Sequence, residues 1–247
     1  MKIGVIDSGV GGLTVLRALR VAMPGATFLY YGDTARAPYG GRPVDELLHF
    51  GREIITFLLA QGADAIVLAC GTLSSTAYDT LREDFAVPIF DVLRPGVAAV
   101  QASGAQRIGF IATAATVRSG FFVRLLQEHC PDKHVAARAC PLFAPMVEKG
   151  WFDGGVVRWA VAHYLADWHT DRDALVLGCT HYPMLATAIN AILPEVRIID
   201  LSEGCARQVQ AALAPTEGMG GVEYFVSGNR AQFDELAKRI VECAHGI

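Results

Sequence analysis

Three short segments of this 247-residue chain occur twice, in the same order. KIGVIDS at 2–8 returns as RIGFIAT at 107–113, DAIVLAC at 64–70 as DALVLGC at 173–179, and VPIFD at 87–91 as VRIID at 196–200, at offsets of 105, 109 and 109 residues. Hydrophobic strands resemble one another, but strand composition alone does not account for three ordered matches at a nearly constant spacing. The echo points to two similar halves.

Each half has the pattern of a parallel sheet covered by helices. The runs KIGVI, TFLYY, AIVLA, PIFDV, RIGFI, ALVLG, VRIID and EYFVS read as strands, and amphipathic segments such as 43–60 and 120–129 lie between them. Alternation of this kind implies α/β architecture with parallel sheets covered by helices, and with the echo it gives two pseudo-symmetric parallel-sheet α/β halves. Prolines and small residues in LRPGVAAVQASG (93–104) mark a crossing between the halves. The final unit, 222–243, has no counterpart after the second half and is expected to complete the first half's layer. The first domain is therefore read as 1–96 plus 208–247, and the second as 97–207.

Ligands of open α/β sheets sit beyond the carboxyl ends of the strands. Two cysteines, Cys70 and Cys179, occupy equivalent strand ends in the two halves, so facing halves would aim two thiols into one pocket. The other four, Cys130, Cys140, Cys205 and Cys243, read as small buried apolar residues. The six lie far apart with no C-x-x-C pair, which argues against a zinc site, a redox motif and a disulfide framework, and places the chain in a reducing cytoplasm. A net charge of -4 and scattered Lys and Arg leave no basic patch for nucleic acid. The N-terminus is neither a secretory signal nor an anchor, and no apolar run approaches the span of a bilayer.

A cysteine that ends a strand and leads into a helix sits near free backbone amides, which favour thiolate and bind carboxylates. Thr72, Ser74, Ser75 and Thr180 add hydroxyls nearby. A phosphatase-like C-x5-R loop would need arginine at 76 and 185, where Thr76 and Leu185 stand. A protease-like pairing with His181 would leave a second, equivalent cysteine idle. Inverting a tetrahedral carbon, by contrast, needs two groups: one removes a proton from one face, and the other supplies a proton to the opposite face. Cysteine serves both roles because its pKa lies near the working pH. The glycine-rich DSGVGG at 7–12 lacks the lysine of a phosphate loop and the spacing of a dinucleotide fingerprint. Asp7 could accept a hydrogen bond from a substrate ammonium or help Cys70 with its proton, and Ser8 could donate to a carboxylate. The polar stretch YGDTARAPYGGRP at 31–43 is expected to form a lid or wall.

IGVIDSGVGGLTVLRAL, YYGDTARAPYGGRP, LAC with threonine two places on, CPLFAPMVEKG and LGCTHYPML together resemble the glutamate racemases, cofactor-independent enzymes of the aspartate/glutamate racemase superfamily. The resemblance runs from the first strand to about residue 205. It implies two facing α/β domains, interconversion of L- and D-glutamate without metal or other cofactor, supply of D-glutamate to peptidoglycan, glutamate as the small-molecule partner, and a homodimer as an open option. By position it makes Cys70 and Cys179 the acid/base thiols, with Asp7 assisting the first and His181 and Glu148 the second. It implies substrate contacts at Ser8, Tyr39, Gly40, Thr72 and Thr180, with Thr113, Thr116 and Ser119 in another lining loop.

One residue departs from the resemblance. The glutamate racemases usually carry asparagine after the first cysteine, where this chain has Gly71. A substrate contact is then missing, so restoring asparagine is expected to tighten binding, and a left-handed backbone at Gly71 would leave asparagine the best-tolerated substitute. Two alternatives stay open: a racemase of aspartate or another acidic amino acid, and a catalytically weak relative acting as a binding or regulatory protein.

Overall fold

The structure, a computed structural model, describes residues 1–214 and 217–243, the side chains of 241–243 excepted. Cys243 thus lies outside the described side chains. Nine strands are found among the described residues: β1 (Lys2–Asp7), β2 (Thr27–Gly32), β3 (Ala65–Leu68), β4 (Ile89–Asp91), β5 (Arg107–Ala112), β6 (His134–Ala139), β7 (Ala174–Leu177), β8 (Arg197–Asp200) and β9 (Val222–Val226). They form two parallel sheets, of order β4-β3-β1-β2-β9 and β6-β5-β7-β8.

Read from its other edge, the second sheet is β8-β7-β5-β6, which repeats β4-β3-β1-β2. The echoed segments therefore occupy equivalent strands. β9 adds to the first sheet by pairing with β2, from Phe28 against Val222 to Gly32 against Val226. The boundaries expected near 96 and 207 both fall within helices, Gly96–Ser103 and Ser202–Ala212. Those helices carry the chain between the sheets.

Parallel strands covered on both faces read as unbroken apolar runs, and every residue of β3 and β7 is buried. β6, HVAARA, was not expected as a strand. It is an edge strand, exposed or half-buried along its length, and its three alanines and an arginine carry little β-propensity. Pairing with β5 from Arg107–His134 to Ala112–Ala139 makes it a strand.

One apolar core continues from the first sheet into the second. Ile3, Val5, Phe28, Tyr30 and Val67 of the first sheet belong to the same cluster as Phe110, Phe122, Phe143 and Tyr182. A second cluster, including Ile6, Leu29, Leu47, Ile54 and Leu68, backs the first sheet on its other face. The halves thus meet over packed side chains. In each sheet the connection after the second strand crosses to the far side of the first, so the order switches at β1/β3 and again at β5/β7. Crevices open at such points.

Candidate active site

Both switch points open into one cavity of about 280 Å³. The carboxyl ends of β1 and β3 contribute Ser8, Cys70, Gly71 and Thr72, and those of β5 and β7 contribute Thr113, Cys179, Thr180 and His181. Glu148, at the end of the helix Phe143–Glu148, closes the second side. The loop after β2 supplies Thr34, Ala37, Pro38, Tyr39 and Gly40 to the wall.

Cys70 precedes the helix Gly71–Thr76, and the backbone N–H groups of Thr72 and Leu73 point back at its sulfur. Its Sγ lies 3.9 Å from Ser8 Oγ. Burial and the Asp7 charge push the thiol up to about 12 despite those two amides. In this arrangement Cys70 holds its proton.

Cys179 has different company. His181 Nδ1 lies 3.7 Å from its Sγ, and the other ring nitrogen, Nε2, lies 2.6 Å from Glu148 Oε1. Burial alone would pull His181 down, but its bonds to Cys179 and Glu148 outweigh that and hold it well above the usual histidine range. A protonated ring donates from both nitrogens. Burial raises Glu148, and the hydrogen bond and charge of His181 reverse this, leaving it below the ordinary glutamate value.

Not every expected residue reaches the cavity. Asp7 is fully buried beneath it, accepting from Gly9 N at 2.9 Å and from Thr180 Oγ1 at 3.0 Å. Its nearest role toward Cys70 is through charge, and Ser8 is the group beside that thiol. Burial raises Asp7 above the usual aspartate value, although the His181 charge and three hydrogen bonds pull the other way. Thr116 and Ser119 do not line the cavity. Thr116 Oγ1 pairs with Thr113 Oγ1 at 3.0 Å, and Ser119 Oγ is engaged with Thr116 O and Phe121 N at the junction of two helices.

Gly71 also departs from expectation. Its backbone is helical with no positive φ, so a left-handed conformation does not explain the glycine. A Cβ there would fall closer than 3.0 Å to the carbonyl oxygen of Gly178, nearer than real Cβ atoms come. Asparagine at 71 would collide with backbone, contrary to the expectation that it would improve binding.

Sequence reasoning missed other parts of the wall. Asn229, Gln232, Phe233 and Leu236, from the last loop and the helix Arg230–Cys243, line the cavity with Lys149. No local motif marks them, because β9 carries that helix to the cleft only once it has paired with β2. Asp33 is the second omission. Fully buried, it accepts from Arg36 Nε at 2.5 Å, Ser227 Oγ at 2.7 Å and the hydroxyl of Tyr39, and so ties down the loop that walls the cavity. Among the described residues no group of three or more His, Cys, Asp or Glu side chains could hold a metal ion.

Residues 15–209 match the family model described as Asp/Glu/Hydantoin racemase. The chain belongs to that family. A glutamate racemase of Thermus thermophilus is 48% identical over 250 residues, covering 99% of this chain and 94% of that protein. The structure of a Thermus thermophilus glutamate racemase in complex with β-chloro-D-alanine superposes with a TM-score of 0.85 at 47% identity, over 97% of this chain and 92% of that one. The Francisella tularensis glutamate racemase in complex with D-glutamate superposes with a TM-score of 0.90 at 32% identity, over 98% and 93%. The two facing parallel-sheet domains of this racemase-family chain are thus those of the solved glutamate racemases.

Proposed function

We propose that this chain interconverts L- and D-glutamate by proton transfer between the substrate α-carbon and two thiols. The observation that carries the reading is that Cys70 and Cys179, at equivalent strand ends of two pseudo-symmetric sheets, line one cavity from its two halves. A carbon held between them presents one face to each.

The two thiols have different surroundings. Cys70 keeps its proton and is the donor, and Cys179, beside the His181–Glu148 pair, is the acceptor. An enantiomer whose α-hydrogen faces Cys179 loses it there, and Cys70 delivers its own proton to the other face of the planar carbanion. Inversion leaves the thiols with exchanged protonation, ready for the opposite enantiomer. His181 helps hold the charge on the Cys179 side, and Glu148 orients its ring. Ser8, Thr72 and Thr113 supply donors for the substrate carboxylates, with Thr180, Tyr39 and Gly40 on the wall. Asp7, out of reach of the cavity, positions Thr180 and biases Cys70 toward the thiol.

The relatives' names favour glutamate, and with it a role in supplying D-glutamate to peptidoglycan in the cytoplasm. Among the described residues no helix is long and apolar enough to cross a membrane. The test is incorporation of solvent deuterium at the α-position of L- and D-glutamate by purified protein after exhaustive chelation, with aspartate run in parallel. Turnover of glutamate without added metal or pyridoxal phosphate is the expected result. Exchange confined to aspartate, or a rate that needs zinc restored, would refute it.

A further inference from the structure

At four points the first half presents a glycine to the second. A Cβ on Gly9 would run into the Glu148 carboxylate, one on Gly11 into the His181 ring and the Thr180 hydroxyl, and one on Gly40 would come within 2.7 Å of Thr113 Cβ. Those three obstacles are side chains. The fourth is not: a Cβ on Gly71 meets the Gly178 carbonyl oxygen, with the carbonyl carbon 3.3 Å and Cys179 Cα 3.9 Å away.

Gly178 has no room to retreat. Its N–H is bonded to Ile111 O at 2.8 Å, and its own Cα packs so near the Phe110 ring that a Cβ there would also collide, with Ala112 Cβ 3.1 Å away. The contact therefore pins backbone against backbone. Gly71 directly follows Cys70 and Gly178 directly precedes Cys179, so any widening at this point moves both sulfurs apart.

We propose that Gly71 is a positioning residue whose missing side chain sets the separation of the two thiols, with Gly40 doing the same on the flank of the cleft. This rests on the two-thiol reading above. Removing a proton needs one thiol within reach of the α-carbon, whereas inversion needs both at once. A side chain at 71 should therefore impair inversion and largely spare deprotonation.

A one-thiol reaction separates the two. With chlorine on Cβ of glutamate, a thiolate takes the α-proton, the C–H electron pair becomes the Cα–Cβ double bond, and chloride leaves with the C–Cl pair. The enamine then hydrolyses in water to 2-oxoglutarate and ammonium. Each enantiomer of threo-3-chloroglutamate reads one thiol, by chloride release.

Gly71→Ala, Gly71→Asn and Gly40→Ala are compared with wild type and with Gly155→Ala, a helix position where a Cβ meets nothing within 4 Å. Racemisation of glutamate by the Gly71 variants is expected to fall about tenfold to a hundredfold in kcat, since small misplacements are that costly. Elimination from either chloro-enantiomer should stay within about threefold of wild type. Gly40→Ala should show the same split on a smaller scale, and Gly155→Ala none. If Gly71→Ala does not fold, Gly40→Ala in its half-buried loop decides by the same ratio. Parallel loss of both reactions, or undiminished racemisation, overturns the proposal. A wild-type chain that performs neither reaction overturns the racemase reading itself.

Discussion

Thr180 Oγ1 donates a hydrogen bond to Asp7 Oδ2 at 3.0 Å across the cleft, joining residues 173 positions apart. Its mirror relation joins Val10 N to Glu148 Oε1 at 3.0 Å, and between them Thr72 and Thr113 face each other at 3.0 Å. The carboxylate nearest each thiol's chemistry is thus held by a group from the opposite half. Three hydrogen bonds tie the two halves together around the cavity.

Thr180→Val should therefore cost more than a substrate contact. Asp7 is fully buried and loses a donor, for which about 1–3 kcal/mol is expected. Urea unfolding measures it, and a variant as stable as wild type would show that the bond contributes nothing.

Cys70→Ser and Cys179→Ser should each reduce racemisation to near background. Cys130→Ala, Cys140→Ala and Cys205→Ala, at buried free cysteines outside the cavity, should retain activity and differ in stability alone. Steady-state rates check this, and full activity in either of the first two would end the two-thiol account.

Cys70 in the free enzyme should resist alkylation. With its thiol at about 12, the thiolate fraction at neutral pH is small, and modification by iodoacetamide should run at least about a hundredfold slower than for free cysteine, rising with pH. Peptide mapping of the labelled protein reads the rate at this residue. Fast labelling near pH 7 would reverse the donor assignment.

The His181–Glu148 pair has a pH window of its own. Glu148 lies below its ordinary 4.5, so its stabilisation is full above that value and is lost as pH falls through the lowered one. His181 lies above its ordinary 6.5, so its stabilisation is full below that value and is lost as pH rises through the raised one. Wild type should exceed Glu148→Gln in unfolding free energy by about 1–3 kcal/mol between 4.5 and 6.5, and by less on either side. Denaturant titrations over that range test the sign. A gap that grows with rising pH would contradict it.

Asp33→Ala should loosen the loop wall. Arg36, Tyr39 and Ser227 all lose a buried acceptor, so KM for glutamate should rise several-fold, with a smaller change in kcat. An unchanged KM would separate the loop from substrate binding.

The strands, the two-half plan and both thiol positions were legible because each is local. Apolar runs mark strands that a parallel sheet buries on both faces, and a repeated motif places Cys70 and Cys179 at equivalent ends. β6 escaped because its strand state comes from pairing with β5 and not from its own side chains. Asp33 looked like one polar residue in a polar loop, since Ser227, which completes its shell, is 194 positions away.

Gly71 marks the boundary between the two kinds of information. Its sequence shows an absent side chain beside a thiol, and from that alone a lost contact and a flexible backbone are equally good readings. Only the tertiary structure places the Gly178 carbonyl where the Cβ would be. Residue type and periodicity are written along the chain, whereas the space around a residue is set by segments that folding brings to it. The sequence by itself therefore determined that two thiols stand at equivalent strand ends, and the packing of one half against the other decided what surrounds them.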